Sequence, residues 1–191
     1  MERSAKVDID IILAAKSGDT ASFEKIVEKL GGKVFALCRR MIPNSADAEE
    51  AAQEVFVRAW RKLDLYDPRM GEFEHWLMRL ASNAALNIAS KKRETIDFTS
   101  ISTGKGTDRI ESVLASPNED AILPEDETIE TRLACEIAAL PDEYKLILAL
   151  RYLKDTSYED IQRITGLPMG TVKNRLYRGR EILKERLKNL L

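Results

Sequence analysis

Between residues 156 and 187 the chain reads "TSYEDIQRITGLPMGTVKNRLYRGREILKERL", a short helical pattern, a tight break and a long helical pattern. Ser157 and Asp160 stand at capping-box spacing and predict a helix start, and Gly166 closes that helix because glycine tolerates the left-handed backbone of a helix end. On the last helix, at about 100° per residue, Val172, Leu176, Gly179, Leu183, Leu187 and Leu190 form one stripe. Facing away are Lys173, Asn174, Tyr177 and Arg178, with Thr171 and Arg175 nearer the edges. The stripe has to pack on the two preceding helices, the first of which starts at Pro141, so the segment reads as a helix-turn-helix. Gly179 costs about 1 kcal/mol relative to alanine inside a helix, and close approach by a neighbouring helix accounts for it. Arginine and asparagine grip purine edges in a major groove, while Lys173, Arg175 and Arg180 can neutralise phosphates.

Charge is divided along the chain. The net value is −2, yet Trp76 to Arg93 carries Arg79, Lys91, Lys92 and Arg93 with no acid, and Gly170 to Leu191 carries seven bases against Glu181 and Glu185. Between them, Thr107 to Glu136 holds nine acids against Arg109 and Arg132. One such run is equally well a solvated helix face; two basic blocks on separate modules favour a polyanion held at two places. The stretch between the blocks mixes Ser, Thr, Gly, Pro and acids with weak periodicity and reads as a flexible acidic linker. The expected organisation is a helical module over 1–93, a linker over 94–123 and a helix-turn-helix module over 124–191.

With 44% apolar and 6% aromatic residues, and Leu, Ala, Glu, Lys and Arg abundant, the chain is expected to be all-α. The start "MERSAKVDID" has no apolar signal core, so a cytoplasmic location is expected, and no further domain is expected after Leu191. Cys38 and Cys135 read as small buried hydrophobes, and His75 alone builds no metal site. No phosphate loop or nucleophile elbow appears, so neither a catalytic residue, a metal, a cofactor nor a small-molecule substrate is expected.

Four helices are legible in the first module. The first ends at Gly18; the second repeats Phe23, Ile26, Val27, Leu30, Val34 and Leu37 across a weak point at Gly31-Gly32 and stops at Pro43. The third, capped by Ser45, has Ala48, Ala52, Val55, Phe56, Ala59, Trp60 and Leu63 on its core side. Asp47, Glu50, Gln53, Glu54, Val57 and Arg61 lie opposite, a face that suits either plain solvation or docking on a basic partner. After the turn-rich loop "DLYDPRMGEFEH", a fourth helix over about Glu74 to Lys92 presents Arg79, Ser82, Asn83, Asn87 and its basic end. Amides and cations beside Tyr66, Phe73, His75 and Trp76 suit unpaired bases; Phe73, Trp60 and Trp76 suit a core equally well, and for the tryptophans the core is the simpler reading.

The stretches "DAEEAAQEVFVRAW", "FEHWLMRLASNAALNIASKKR" and "LPDEYKLILALRYLKDTSYEDIQRITGLPMGTVKNRLYRGREIL", with the preceding "SFEKIVEKLGGKVFALCRRM", resemble in order and spacing the extracytoplasmic-function (ECF) sigma factors, initiation subunits of bacterial RNA polymerase. The resemblance covers nearly everything but the linker. It implies that Asp47, Glu50, Gln53, Glu54 and Val57 meet the clamp helices of the polymerase's largest subunit, and that the second module meets the flap of the second subunit. It also implies that Tyr66, Arg79, Asn83, Asn87, Lys91, Lys92 and Arg93 hold the minus-ten promoter element, with Asn83 at the place used on a flipped-out base. Thr171, Lys173, Asn174, Arg175, Tyr177 and Arg178 fall where the family reads the minus-thirty-five element. An anti-sigma factor is the implied regulator. Asn87 and Ser90 stand where many members carry Asp and Arg, so promoter preference does not transfer. A dimeric operator-binding regulator using only the second module, or a protein-docking adaptor, are the rival readings.

Overall fold

The computed structural model describes residues 7–100, 136–137, 139–153 and 156–188, with side chains described up to residue 88 in the first span. Every regular element among them is helical: α1 (Ile9–Lys16), α2 (Thr20–Met41), α3 (Ser45–Arg61), α4 (Phe73–Ser100), α5 (Asp142–Arg151), α6 (Tyr158–Thr165) and α7 (Met169–Lys188), with two 3-10 turns, Leu63–Leu65 and Pro68–Met70, between α3 and α4. The all-α expectation holds. Residues 101–123 of the expected linker, Cys135 and Leu190 lie outside the described residues.

Side chains that satisfy the orphan N–H groups of a first turn start most of these helices. Asp8 caps α1, Asp19 accepts from the N–H groups of Ala21 and Ser22 at 3.2 Å, and Asn44 accepts from Asp47 N at 3.1 Å. The cap of α3 is therefore Asn44 and not Ser45, which is its first helical residue. An amide oxygen one position earlier reaches the same donor with the extended backbone a cap requires. The glycine pair at Gly31-Gly32 does not interrupt α2, because the buried side chains of Leu30 and Val34 on either side hold the helix against its neighbours. At the other end of the module α4 continues past Lys92 to Ser100.

The first core joins Ile26, Leu30, Val34, Leu37, Cys38 and Met41 of α2 to Ala48, Ala51, Val55 and Ala59 of α3 and Leu77, Met78, Ala81 and Ala85 of α4. Phe23 crosses Trp60 edge-on at 4.9 Å, closing the α2–α3 side. Burial pushes the Cys38 thiol up to about 11, the behaviour of a small hydrophobe. Ser82, expected on the polar side of α4, is instead buried and donates to Met78 O at 2.8 Å. Back-bonding to the helix's own carbonyl lets a serine hydroxyl sit in an apolar core.

In the second module Ser157 and Asp160 form the capping box at the start of α6, and Gly166, at φ 73°, ends it. Arg151 stacks over Tyr158 at 5.2 Å and donates to Thr156 O at 3.1 Å, fixing the turn between α5 and α6. Val172, Leu176 and Leu183 are buried as the stripe requires. Helix α5 is buried in succession from Lys145 to Leu150, because α7 covers one side and α2 and α4 the other. The two modules are thus docked on one another through α5 and α6.

Gly179 is where α7 touches α5. A Cβ there meets Leu148 Cδ1 at 2.7 Å and Tyr144 Cβ at 3.3 Å. Alanine improves helix propensity by about 1 kcal/mol, but overpacking a filled core costs about 1–3 kcal/mol. Leu148 is fully buried and has nowhere to swing, so the steric effect wins. Gly179→Ala is expected to lower the urea midpoint of the full chain; an unchanged or raised midpoint contradicts the close approach.

Candidate nucleic-acid interface

Three polar faces lie on this frame. On α3, Glu50, Gln53 and Arg61 are exposed, Asp47 and Glu54 half-buried, and Val57 43% exposed among them. Glu54 accepts from Arg58 Nε at 2.7 Å one turn on, which orders the carboxylate without hiding it. The apolar stripe opposite, from Ala48 to Ala59, makes the orientation of this face obligatory.

The loop between α3 and α4 is braced from inside. Tyr66, 5% exposed, donates its hydroxyl to Gly71 O at 3.0 Å and sits among Phe73 (5.1 Å) and Trp76 (5.7 Å). Lys16 Nζ donates to Tyr66 O at 2.8 Å, Asp67 accepts from Arg69 N at 3.0 Å, and Gly71 takes φ 148°, open to glycine. Tyr66 therefore shapes the loop from within and is not on the outer face with Asn83. Phe73 is buried and Trp76 and Trp60 are packed against the core. What the loop does present is Leu65, Arg69 and Met70, the last 87% exposed. For Arg69 and Met70 the sequence signal is the Asp67-Pro68 turn, which carries both outward before the chain returns to the core at Phe73.

On α4, Arg79, Asn83 and Asn87 are exposed and share one side of the helix at successive turns. Lys91, Lys92 and Arg93 continue α4, but their side chains lie outside the described residues. Arg79 is engaged with the second module: its Nε donates to Ile164 O at 3.0 Å and its Nη2 to Arg163 O, the last-turn carbonyls of α6. One turn earlier His75 Nε2 lies 2.9 Å from Asp160 Oδ1. Sequence reasoning places His75 near bases and misses this pairing, since nothing in the local pattern of α4 names its partner.

On α7, Lys173, Asn174 and Arg178 are exposed and Tyr177 is 68% exposed, directly opposite Val172, Leu176 and Gly179. Thr171 and Arg175 are half-buried at the edges, and Arg175 pairs with Glu143 of α5 at 3.2 Å. Arg175 therefore ties the outer helix to its scaffold, while the four exposed residues stay presented to solvent.

A helix-turn-helix whose outer helix offers Lys, Asn, Tyr and Arg on a packed frame has the geometry of a motif used to enter a DNA major groove. The comparisons narrow this. Residues 26–95 match the family model for Sigma-70 region 2 and residues 130–183 that for Sigma-70, region 4. The chain is 34% identical over 183 residues to the ECF RNA polymerase sigma factor SigW of Bacillus subtilis, spanning 94% of this chain and 96% of that one. It is 29% identical over 189 residues to the ECF RNA polymerase sigma-E factor of Escherichia coli, spanning 95% and 94%. Among solved structures it shares the fold of CnrH, determined with the cytosolic domain of CnrY (TM-score 0.67, 22% identity, 96% and 99% of the two chains). It also shares that of the sigma factor RpoE of Bartonella quintana, determined with the anti-sigma factor NepR (TM-score 0.62, 21% identity, 87% and 96%). The chain belongs to the ECF family of RNA polymerase sigma factors. Its role is accordingly non-enzymatic. No described helix is long and apolar enough to cross a membrane, and no group of His, Cys, Asp or Glu among the described residues is placed to hold a metal ion.

Burial raises the Asp160 carboxyl, but the hydrogen bonds from Ser157 and His75 outweigh it and hold the group below its ordinary value of 3.8. A depressed folded-state pKa gives stability that is present above the unfolded value and lost as pH falls through the folded one. Thermal stability is therefore expected to be level near neutrality and to decline on acidification below about pH 4. In Asp160→Asn that decline is shallower; equal acid limbs in the two proteins contradict the assignment.

Proposed function

We propose that the chain binds core RNA polymerase through the α3 face and delivers two helix faces to one promoter. Glu50, Gln53, Glu54 and Val57, with Asp47 beside them, contact the clamp helices of the largest subunit, and the second module engages the flap of the second subunit. The loop from Leu65 to Phe73 and the α4 side carrying Arg79, Asn83, Asn87 and the basic end through Arg93 hold the opened minus-ten element. Lys173, Asn174, Tyr177 and Arg178 read the minus-thirty-five element in duplex form, with Thr171 and Arg175 at the margins of that contact. Once one module is engaged, the other binds intramolecularly, so two modest contacts reinforce each other through effective concentration.

The observation that carries this reading is the α7 face: three exposed cationic or amide side chains and one exposed tyrosine, backed by a buried stripe that leaves the helix no other orientation. The exposed acid and amide face of α3 supports the polymerase contact. Structures of similar fold solved with CnrY and with NepR support regulation by an anti-sigma factor acting on this chain.

Run-off transcription with purified core polymerase tests the reading. Arg178→Ala is expected to lower promoter-directed product roughly tenfold while leaving core binding intact, the loss of one good base or phosphate contact. Gln53→Ala with Glu54→Ala is expected to weaken core binding by a similar factor and to recover when the variant is added in excess. Wild-type activity from both variants, or no start-site selection by the folded wild-type chain, overturns it.

A further inference from the structure

The cations of α7 are treated differently on the two margins of its buried stripe. Advancing about 100° per residue sets Lys173 and Arg180 along one margin and Arg175 and Arg186 along the other. Lys173 and Arg180 are exposed. On the second margin each arginine is half-buried and meets an acid from α5 or from just before it: Arg175 Nη2 lies 3.2 Å from Glu143 Oε2, and Arg186 Nη1 lies 3.6 Å from Glu136 Oε2. The two pairs differ in what they can affect. Arg186 stands in the last turn of α7, well past the residues that face duplex, whereas Arg175 follows Asn174 directly and precedes Arg178 by one turn. Glu143, in the first turn of α5, is itself exposed. An acid suits a helix start for its own sake, but nothing in α5 requires that acid to meet a cation on the outer helix.

We infer that Glu143 balances the charge of Arg175 and so withholds one cation from the phosphate backbone, setting how tightly upstream duplex is held without setting which sequence is chosen. The inference rests on the assignment of the α7 face to duplex made above. A phosphate brought to the Arg175 guanidinium also comes close to the Glu143 carboxylate, and the like charges repel. Phosphate contacts act alike on every sequence, whereas contacts to base edges discriminate. Asn174, Tyr177 and Arg178 keep their exposure for reading, and Lys173 and Arg180 carry the phosphate contact on their own margin. Each further cation that reaches a phosphate releases a counterion and strengthens binding to any duplex. Non-promoter DNA is in large excess, so an upper limit on the sequence-independent part keeps polymerase free to find its sites.

The test uses holoenzyme assembled from the full chain and core polymerase, with fluorescein-labelled promoter duplexes carrying either the natural or a scrambled upstream element. Dissociation constants are measured across a range of KCl concentrations for wild type, Glu143→Gln, Arg175→Gln and the double variant. Glu143→Gln is expected to tighten both duplexes by the same factor, roughly fivefold at low salt, and to steepen the double-logarithmic salt dependence by about one. Arg175→Gln and the double variant are expected to share the wild-type slope, because the carboxylate acts through that guanidinium. A residue that only braces α7 on α5 weakens binding when changed and leaves the slope alone. Weaker binding by Glu143→Gln therefore overturns the inference, as do an unchanged slope, tightening confined to the natural upstream element, or equal steepening with and without Arg175. The urea midpoint of each free chain checks folding, and Glu143→Ala decides the matter if the glutamine variant is unfolded. Start-site selection by the wild-type holoenzyme is a separate readout: its failure removes the functional reading, and its success beside an unchanged slope removes only the charge balance.

Discussion

The arrangement depends on one helix being covered on both sides. From Lys145 to Leu150 every residue of α5 is buried, which an isolated three-helix module of this size does not achieve. Its α7 side is set by Gly179, where the absence of a side chain lets the two helices meet against Leu148 and Tyr144. Its other side is supplied by α2 and α4 of the first module. Burial of apolar surface drives the docking, and the polar contacts at its rim choose the register: His75 with Asp160, Arg79 with two carbonyls, Arg40 with a third.

That register has a functional meaning because of what each polar face is opposed to. Each helix face assigned to a macromolecular contact is the reverse of a buried stripe: the α3 acids behind Ala48, Val55 and Ala59, the α4 amides behind Leu77, Ala81 and Ala84, and the α7 cations behind Val172, Leu176 and Leu183. The core thus aims the site. Rigidity matters as much as chemistry, and the loop before α4 shows it: Tyr66, Lys16 and Asp67 hold the backbone from within so that Leu65, Arg69 and Met70 can project.

Much of this is legible in the sequence, and the reasons are local. Period and capping define the helices of the second module, because Ser157, Asp160 and Gly166 act on their own backbone within one turn. The close approach at Gly179 is legible because a glycine at the centre of an apolar stripe marks a point where the facing helix leaves no room for a side chain. Asn44 and Ser45 are both good caps, and only backbone geometry separates them. Ser82 and Tyr66 carry polar atoms that suggest solvent, yet each satisfies its hydroxyl on a nearby carbonyl and buries the rest. The His75 and Arg79 contacts are not legible, since their partners lie more than eighty residues away and include backbone carbonyls, which carry no residue identity.

The central claim is that two separate helix faces of one chain meet two separate elements of one promoter. Cleavage mapping measures this most directly: an iron chelate tethered through Glu181→Cys on α7 or Arg69→Cys in the loop, with Cys135 replaced, in complex with core polymerase and a promoter it transcribes. The account predicts cuts around the minus-thirty-five element from the first and around the minus-ten element from the second. Cuts at the same element from both tethers, or at neither element, contradict it.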